Sequence, residues 1–160
     1  MAEMREKLMH FLNIGSQTTA SYVLIGDGVT SLTEEFNAES DTKQYINQAN
    51  GVTTIKSYTP SIQVEKEYIK DEALQTWLNG KVRDLPTGSD AETDYIRINV
   101  FETTSTESVY SAVKRKCTIQ IDSIGGDAGS ELMNAFTLGG VGDGVKGYFN
   151  VSTKVFTTAS

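Results

Sequence analysis

The chain has 160 residues, of which 38% are hydrophobic and 22% charged; 21 acidic side chains stand against 14 basic ones, for a formal charge of −7. That length suits one domain over 1–160 with a real core, and the balance is that of a soluble globular protein rather than a disordered one. The acidic excess argues against a protein built to grip nucleic acid, which needs a basic stripe to neutralise phosphates, and points to a surface that repels DNA.

The longest apolar stretch is Tyr22–Ile25, far short of the ~20 residues of a membrane helix, so no membrane partner is expected. Met1–Ile14 carries Glu3 and Glu6 among its basic residues and has no long apolar centre. It does not read as a signal peptide, and residues 1–20 are expected to form an N-terminal arm. Ser21–Ile25 and Ser31–Ala38 read as the two strands of a hairpin around Gly26-Asp27-Gly28. Asp41–Gly51 is polar except for the isolated pair Tyr45–Ile46, and the excursion extends over 41–57. Two readings stand for it: a disordered loop, or an arm that orders against a neighbouring subunit.

Tyr58–Glu65 alternates, with Ile62 and Val64 opposite Ser61, Gln63 and Glu65, as a strand does. Asp71–Val82 breaks the β pattern. Leu74, Trp77 and Leu78 fall at helical spacing, with Asp71 and Glu72 at the amino end and Lys81 and Arg83 at the carboxyl end. One amphipathic helix is therefore predicted over 71–83, docked on the sheet through Leu74, Trp77 and Leu78. Asp84–Asp94, with Pro86 and Gly88, returns as a surface loop. In Asp94–Glu102, Ile96, Ile98 and Val100 make one apolar face; in Val113–Ile121, Val113, Cys117, Ile119 and Ile121 do the same. Glu131–Leu138 and Val145–Phe156 read as further strands joined by a glycine-rich turn, Gly139–Gly144.

Catalytic chemistry finds little to work with. The only histidine is His10 and the only cysteine Cys117, which gives no positioned imidazole device, no intrachain disulfide and no common zinc site. Asp122, Asp127 and Glu131, or Asp84, Asp90 and Asp94, offer oxygens without EF-hand spacing and read as solvated carboxylates. Gly142-Asp-Gly144-Val-Lys-Gly147 matches G-x-G-x-x-G, but the following Tyr148–Phe156 is strand-like, so no helix N-terminus awaits a pyrophosphate. No cofactor and no metal are expected. Lys114-Arg115-Lys116 is a short basic run whose lysines share one strand face; it reads as an exposed face or a subunit contact.

Several stretches carry a resemblance. They are Gly26–Asn37; Gln44-Tyr-Ile-Asn47 followed by Tyr58–Glu65; Asp71–Trp77; and Tyr110-Ser-Ala112 leading through Lys116–Asp122 to Ile124-Gly-Gly-Asp-Ala-Gly129 and on to Gly147-Tyr-Phe149. In order and spacing they cover most of Ser21–Phe156 and resemble the major tail tube proteins of long-tailed, siphovirus-type phages and prophages. The resemblance implies a mainly β fold, an antiparallel β-sandwich or barrel with one flanking amphipathic α-helix and a long inter-strand loop. It also implies a structural virion protein that is not an enzyme. Six subunits would close into a ring by sheet-edge pairing, and rings would stack through the long loop and terminal arms. Double-stranded DNA would pass without specific binding through a lumen lined by acidic and polar side chains.

By the same resemblance the partners are further copies of the chain, a tape measure protein, a tail terminator and distal tail or baseplate proteins. The place is the phage tail, after synthesis in the host cytoplasm. For this chain the ring-stacking candidates are Asp41, Gln44, Tyr45, Ile46 and Asn47, and the acidic candidates for the lumen are Glu34, Glu65, Glu67 and Glu102. The competing reading is a β-sandwich binding module, for a carbohydrate or a partner, of a surface structure.

Overall fold

A computed structural model describes residues 2–16 and 18–159, which leaves positions 1, 17 and 160 of the expected 1–160 domain outside the description. The strands are β1 (Leu8–Asn13), β2 (Tyr22–Leu24), β3 (Val29–Glu35), β4 (Ala38–Lys43), β5 (Val52–Tyr58), β6 (Ser61–Glu67), β7 (Glu92–Thr103), β8 (Val109–Gly125), β9 (Met133–Asn150) and β10 (Val155–Thr158); one helix, α1 (Ala73–Asp84), lies between β6 and β7. Seven strands run β2-β1-β7-β8-β9-β6-β3, all neighbours antiparallel, with β10 added to β9, while β4 and β5 form a separate two-stranded sheet.

The order of strands dictates the shape. β2 and β3 are joined only by Ile25–Gly28, yet they stand at opposite ends of the strand order. The sheet must therefore curl until its two ends meet, as a barrel with an open seam. The sequence-predicted hairpin of Ser21–Ile25 with Ser31–Ala38 is thus corrected: β2 pairs with β1, and β3 pairs with β6. A glycine pair reads locally as a hairpin turn, but here long-range closure decides the partners. Gly28 is required at this link, because its φ is +75° and a Cβ there would meet Ile69 Cδ1 at 2.7 Å.

Two more expectations change. Leu8–Asn13 is not an arm but a strand lying between β2 and β7, with His10, Phe11, Leu12 and Asn13 all buried. Gly139–Gly144 is not a turn but the interior of β9, which runs unbroken from Met133 to Asn150. Lys114 pairs with Val145 and Lys116 with Val141, so Arg115 alone faces the three residues 142–144. This bulge, with Gly142 at φ +71° and the Arg115 guanidinium donating to its carbonyl at 3.0 Å, bends the long β8–β9 pair between the two halves of the sheet. The strand expected over Tyr58–Glu65 is also interrupted at Thr59–Pro60, where β5 ends and β6 begins.

The core follows from the alternation. Leu12, Leu32, Ile62, Val64, Tyr95, Cys117, Ile119, Phe136 and Leu138 line the inside of the curl. α1 covers them with Leu74 and Leu78, each 2% exposed, while Trp77 is partly buried at the edge with Lys81 Nζ 5.2 Å from its ring. The helix ends at Leu85, which takes a left-handed conformation and donates to the Lys81 carbonyl. A second cluster, built on Phe11, Tyr22, Ile96, Ile98, Ala112 and Phe149, occupies the other face of β1 and β7. These two strands are covered on both sides, so they show no simple inward–outward contrast in burial.

Candidate assembly surface

Four consecutive strands, β3, β6, β9 and the last stretch of β8, present one face to the core and the other to solvent. Inward point Leu32, Ile62, Val64, Phe136, Leu138 and Ile119. Outward lie Thr33 and Glu35 on β3, Gln63 and Glu65 on β6, Ala135 and Thr137 on β9, and Gln120 on β8, with Asp122 at a bulge two residues on. Glu67 continues the outward row of β6. Among the described residues this face carries Glu35, Glu65, Glu67 and Asp122 and no lysine or arginine. Asp122 is held upright by the Thr137 hydroxyl at 2.6 Å and the Gln120 amide at 2.7 Å.

The same surface ends in two unpaired edges. β3 is hydrogen-bonded to β6 on one side and ends the strand order on the other. β7 pairs with β8 only as far as Glu92 opposite Thr118, which leaves Ile119–Gly125 without a partner on that side. Unpaired edges in a folded protein invite another chain. A groove of about 650 Å³ flanks the β8 edge, lined by Leu85, Pro86, Thr87, Ala91, Ile119 and Ile121 among others.

Glu34 does not belong to this face. Its neighbours on β3 point outward, whereas its own side chain, 5% exposed, crosses the seam to β1 and β7. There Glu34 Oε1 accepts from His10 Nε2 at 3.2 Å and Arg97 Nη1 at 3.0 Å, and Oε2 accepts from the Tyr95 hydroxyl at 2.8 Å. Burial alone would raise its pKa; the bonds from His10 and Tyr95 and the charge of Arg97 outweigh that and hold it at about 2. Burial and the neighbouring carboxylate push the Tyr95 phenol up in turn. Glu34 is thus corrected from a lumen candidate to the residue that ties the seam shut. Of the remaining candidates, Glu65 and Glu67 lie on the outward face, and Glu102 lies near the far end of β7, beside Asn99. Glu35, and Asp122, which the sequence marks only as a solvated carboxylate, share that face; strand alternation gives the period and not which side is covered.

Just beyond β3 stands the segment read as a long loop. It is a β-hairpin, β4 with β5, rooted at Phe36 and Tyr58. Every residue of β5 is exposed, and on β4 only Asp41 is half-buried. Tyr45, Ile46, Val52, Ile55 and Tyr58 are large apolar side chains between 46% and 108% exposed. Asp41 lies within the first strand of this arm, while Gln44, Tyr45, Ile46 and Asn47 form its tip. The Gln44 amide stiffens that tip by donating to the carbonyls of Gln48 and Ala49.

Elsewhere three lysines have partners within the chain. Lys114 and Lys116 face Asp94 and Glu92 at 3.8 and 3.0 Å. Lys66, fully buried, lies 2.7 Å from Glu72 and donates to the carbonyls of Asp27 and Glu67. The Cys117 thiol is buried and pushed up by that burial and by Asp94. Among the described residues no cluster of three or more His, Cys, Asp or Glu side chains is placed to hold a metal ion.

No protein-family model matches the chain, and no curated protein matches it. Solved structures do. The chain is similar to one in the tail of an empty gene transfer agent (GTA) particle refined with C6 symmetry, with TM-score 0.62 and 15% identity over 89% of this chain and 97% of that one. It is similar to the SPP1 tail tube subunit, with TM-score 0.65 and 12% identity over 89% of this chain and 77% of that one. A chain from the sheath/tube terminator of an extracellular contractile injection system matches with TM-score 0.55 and 11% identity, over 91% and 96%. The fold is that of tail tubes.

Proposed function

We propose that this chain is a structural, non-enzymatic subunit of a virion tail tube, in which copies close into rings, rings stack, and DNA travels through the bore. The observation that carries the reading is the uncovered sheet face, whose charged groups are all carboxylates, bounded by two unpaired edges. Successive strands β3, β6, β9 and β8 alternate in direction, so the β8 edge of one copy meets the β3 edge of the next antiparallel. An even number of strands per copy lets that junction repeat around a ring without a mismatched pair. The contact is heterologous and closes if the rotation allows.

The C6 symmetry of a similar tail supports six copies, and four strands from each make a 24-stranded barrel. At about 4.8 Å between strands and a tilt near 40°, the backbone radius is roughly 24 Å, and the clear bore after side chains is about 40 Å wide. The helix then lies outside. Glu35, Glu65, Glu67 and Asp122 point at the axis, while Glu102 falls outside the bore. Like charge on the wall keeps a phosphate backbone from binding by counterion release. The arm, with Tyr45 and Ile46 at its tip, serves the contact between rings. The tape measure, terminator and baseplate proteins of a tail are the partners of such a tube.

Negative-stain electron microscopy of the concentrated protein tests the reading. Hollow rings or rods are expected. Single particles of monomer size at every concentration overturn it.

A further inference from the structure

A groove of about 490 Å³ lies along the seam, beside the first half of β3 and the β2–β3 link, walled by Leu8, Met9, Leu24 and Val29. The buried His10 also lines it. Its Nε2 faces the Glu34 carboxylate, which can only accept, so Nε2 carries the proton and in the neutral ring Nδ1 is an acceptor. That Nδ1 is buried without a hydrogen-bond partner, a state that costs free energy until something donates to it. The groove is therefore apolar in its walls, and one of its lining residues holds an unpartnered imidazole nitrogen.

The arm tip has the complementary chemistry. Ile46 is fully exposed at 108%, and Tyr45, 57% exposed, joins an apolar ring to a hydroxyl donor. The two features stand at opposite ends of β3: the groove flanks Val29–Leu32, and the arm leaves beyond Glu35. A strand of six residues extends the arm, a reach of about 20 Å. Copies stacked head to tail along the direction of β3 bring the tip of one to the groove end of the next.

We propose that the Tyr45–Ile46 tip of one copy seats in the seam groove of a copy in the adjacent ring, with Ile46 against Leu8, Met9 and Leu24 and the Tyr45 hydroxyl donating to His10 Nδ1. This rests on the tube reading and names the surface the arm grips. The test is a chain carrying Ile46→Cys and Leu24→Cys, assembled and treated with a short bismaleimide; Cys117 is buried and stays silent. A ladder of covalent multimers continuing past the six copies of one ring, absent from either single variant, is expected. Tubes that form normally without a ladder overturn the groove and leave the tube reading in place. Absence of tubes from the unsubstituted chain removes both. If the double variant does not assemble, Tyr45→Phe decides: loss of one hydrogen bond raises the critical concentration about fivefold, and an unchanged value overturns the contact with His10.

Discussion

Two residues separate the end of β3 from the start of β4, and the two strands live in opposite conditions. β3 buries Leu32 in the core and sends Glu34 across the seam to three partners. β4 and β5 touch little but each other. A two-stranded hairpin alone in water is marginally stable, so an arm with five exposed large apolar side chains is poorly explained by the needs of the monomer. On the proposed reading the difference separates two kinds of information in one chain: the body specifies the subunit, and the arm specifies what the subunit does with its neighbours. Mutations should divide the same way, with stability lost on one side and assembly on the other.

The largest loss of stability is expected at Glu34. Glu34→Ala leaves His10, Tyr95 and Arg97 around an empty site and should cost about 3–5 kcal/mol, read as a lower denaturant midpoint. The carboxyl is held below its ordinary 4.5, at about 2. Its stabilising contribution is therefore complete above about pH 4.5 and lost as the pH falls through about 2, on the order of 3 kcal/mol in all. Glu34→Gln should flatten that part of the pH–stability curve. An unchanged curve would show that the seam is held by something else. Next comes the helix. Leu78→Ala should cost about 3 kcal/mol, and Trp77→Ala, at the partly exposed edge, about half that; equal costs would mean that the helix uses a different face.

The arm sharpens the contrast. Replacing Asp41–Gly51 by a short Gly-Ser linker should shift stability by less than about 1 kcal/mol, because nothing in the core is touched. Long tubes should nevertheless disappear in electron micrographs. An unfolded product, or tubes of normal length, would break the division between body and arm.

How much of this was legible depended on whether a local pattern and the global fold asked for the same residues. Ile62 and Val64 in β6 alternate because one side of that strand is buried, and the period alone finds them; in β7 it finds Ile96 and Ile98 but gives no sign that Tyr95, on the other face, is buried as well. Leu74, Trp77 and Leu78 announce a helix in the same way. β1 gives no such signal, since Leu-Met-His-Phe-Leu-Asn is buried on both faces at its end and the pattern is lost. Glycine misled twice, at Gly26–Gly28 and at Gly139–Gly144, because the freedom that suits it to a turn also suits it to a tight crossing or a bulge. Nothing in the sequence around Glu34, a candidate for the lumen, or around Lys66 marks either charge as buried. Their partners come from β1 and β7 for one and from the β2–β3 link and the start of α1 for the other, and no short-range pattern carries that.

The smallest effect on stability is expected on the outward face, where function should respond most. Glu65 is exposed, and Asp122 bonds only to exposed or half-buried polar neighbours on the same face. Glu65→Lys with Asp122→Lys should therefore change the unfolding free energy by less than about 1 kcal/mol. In a ring the same two changes place lysines along a wall that otherwise offers only carboxylates and neutral groups. A duplex beside that wall would release counterions on binding, and each phosphate neutralised steepens the salt dependence of its affinity. The wild-type tube should leave duplex DNA unretarded in a gel at low salt; the double variant should retain it, with retention fading as salt rises and screening shortens. Equal behaviour of the two would put these carboxylates outside the bore even if tubes form. Retention by the wild type would mean that the wall facing DNA is not this acidic sheet.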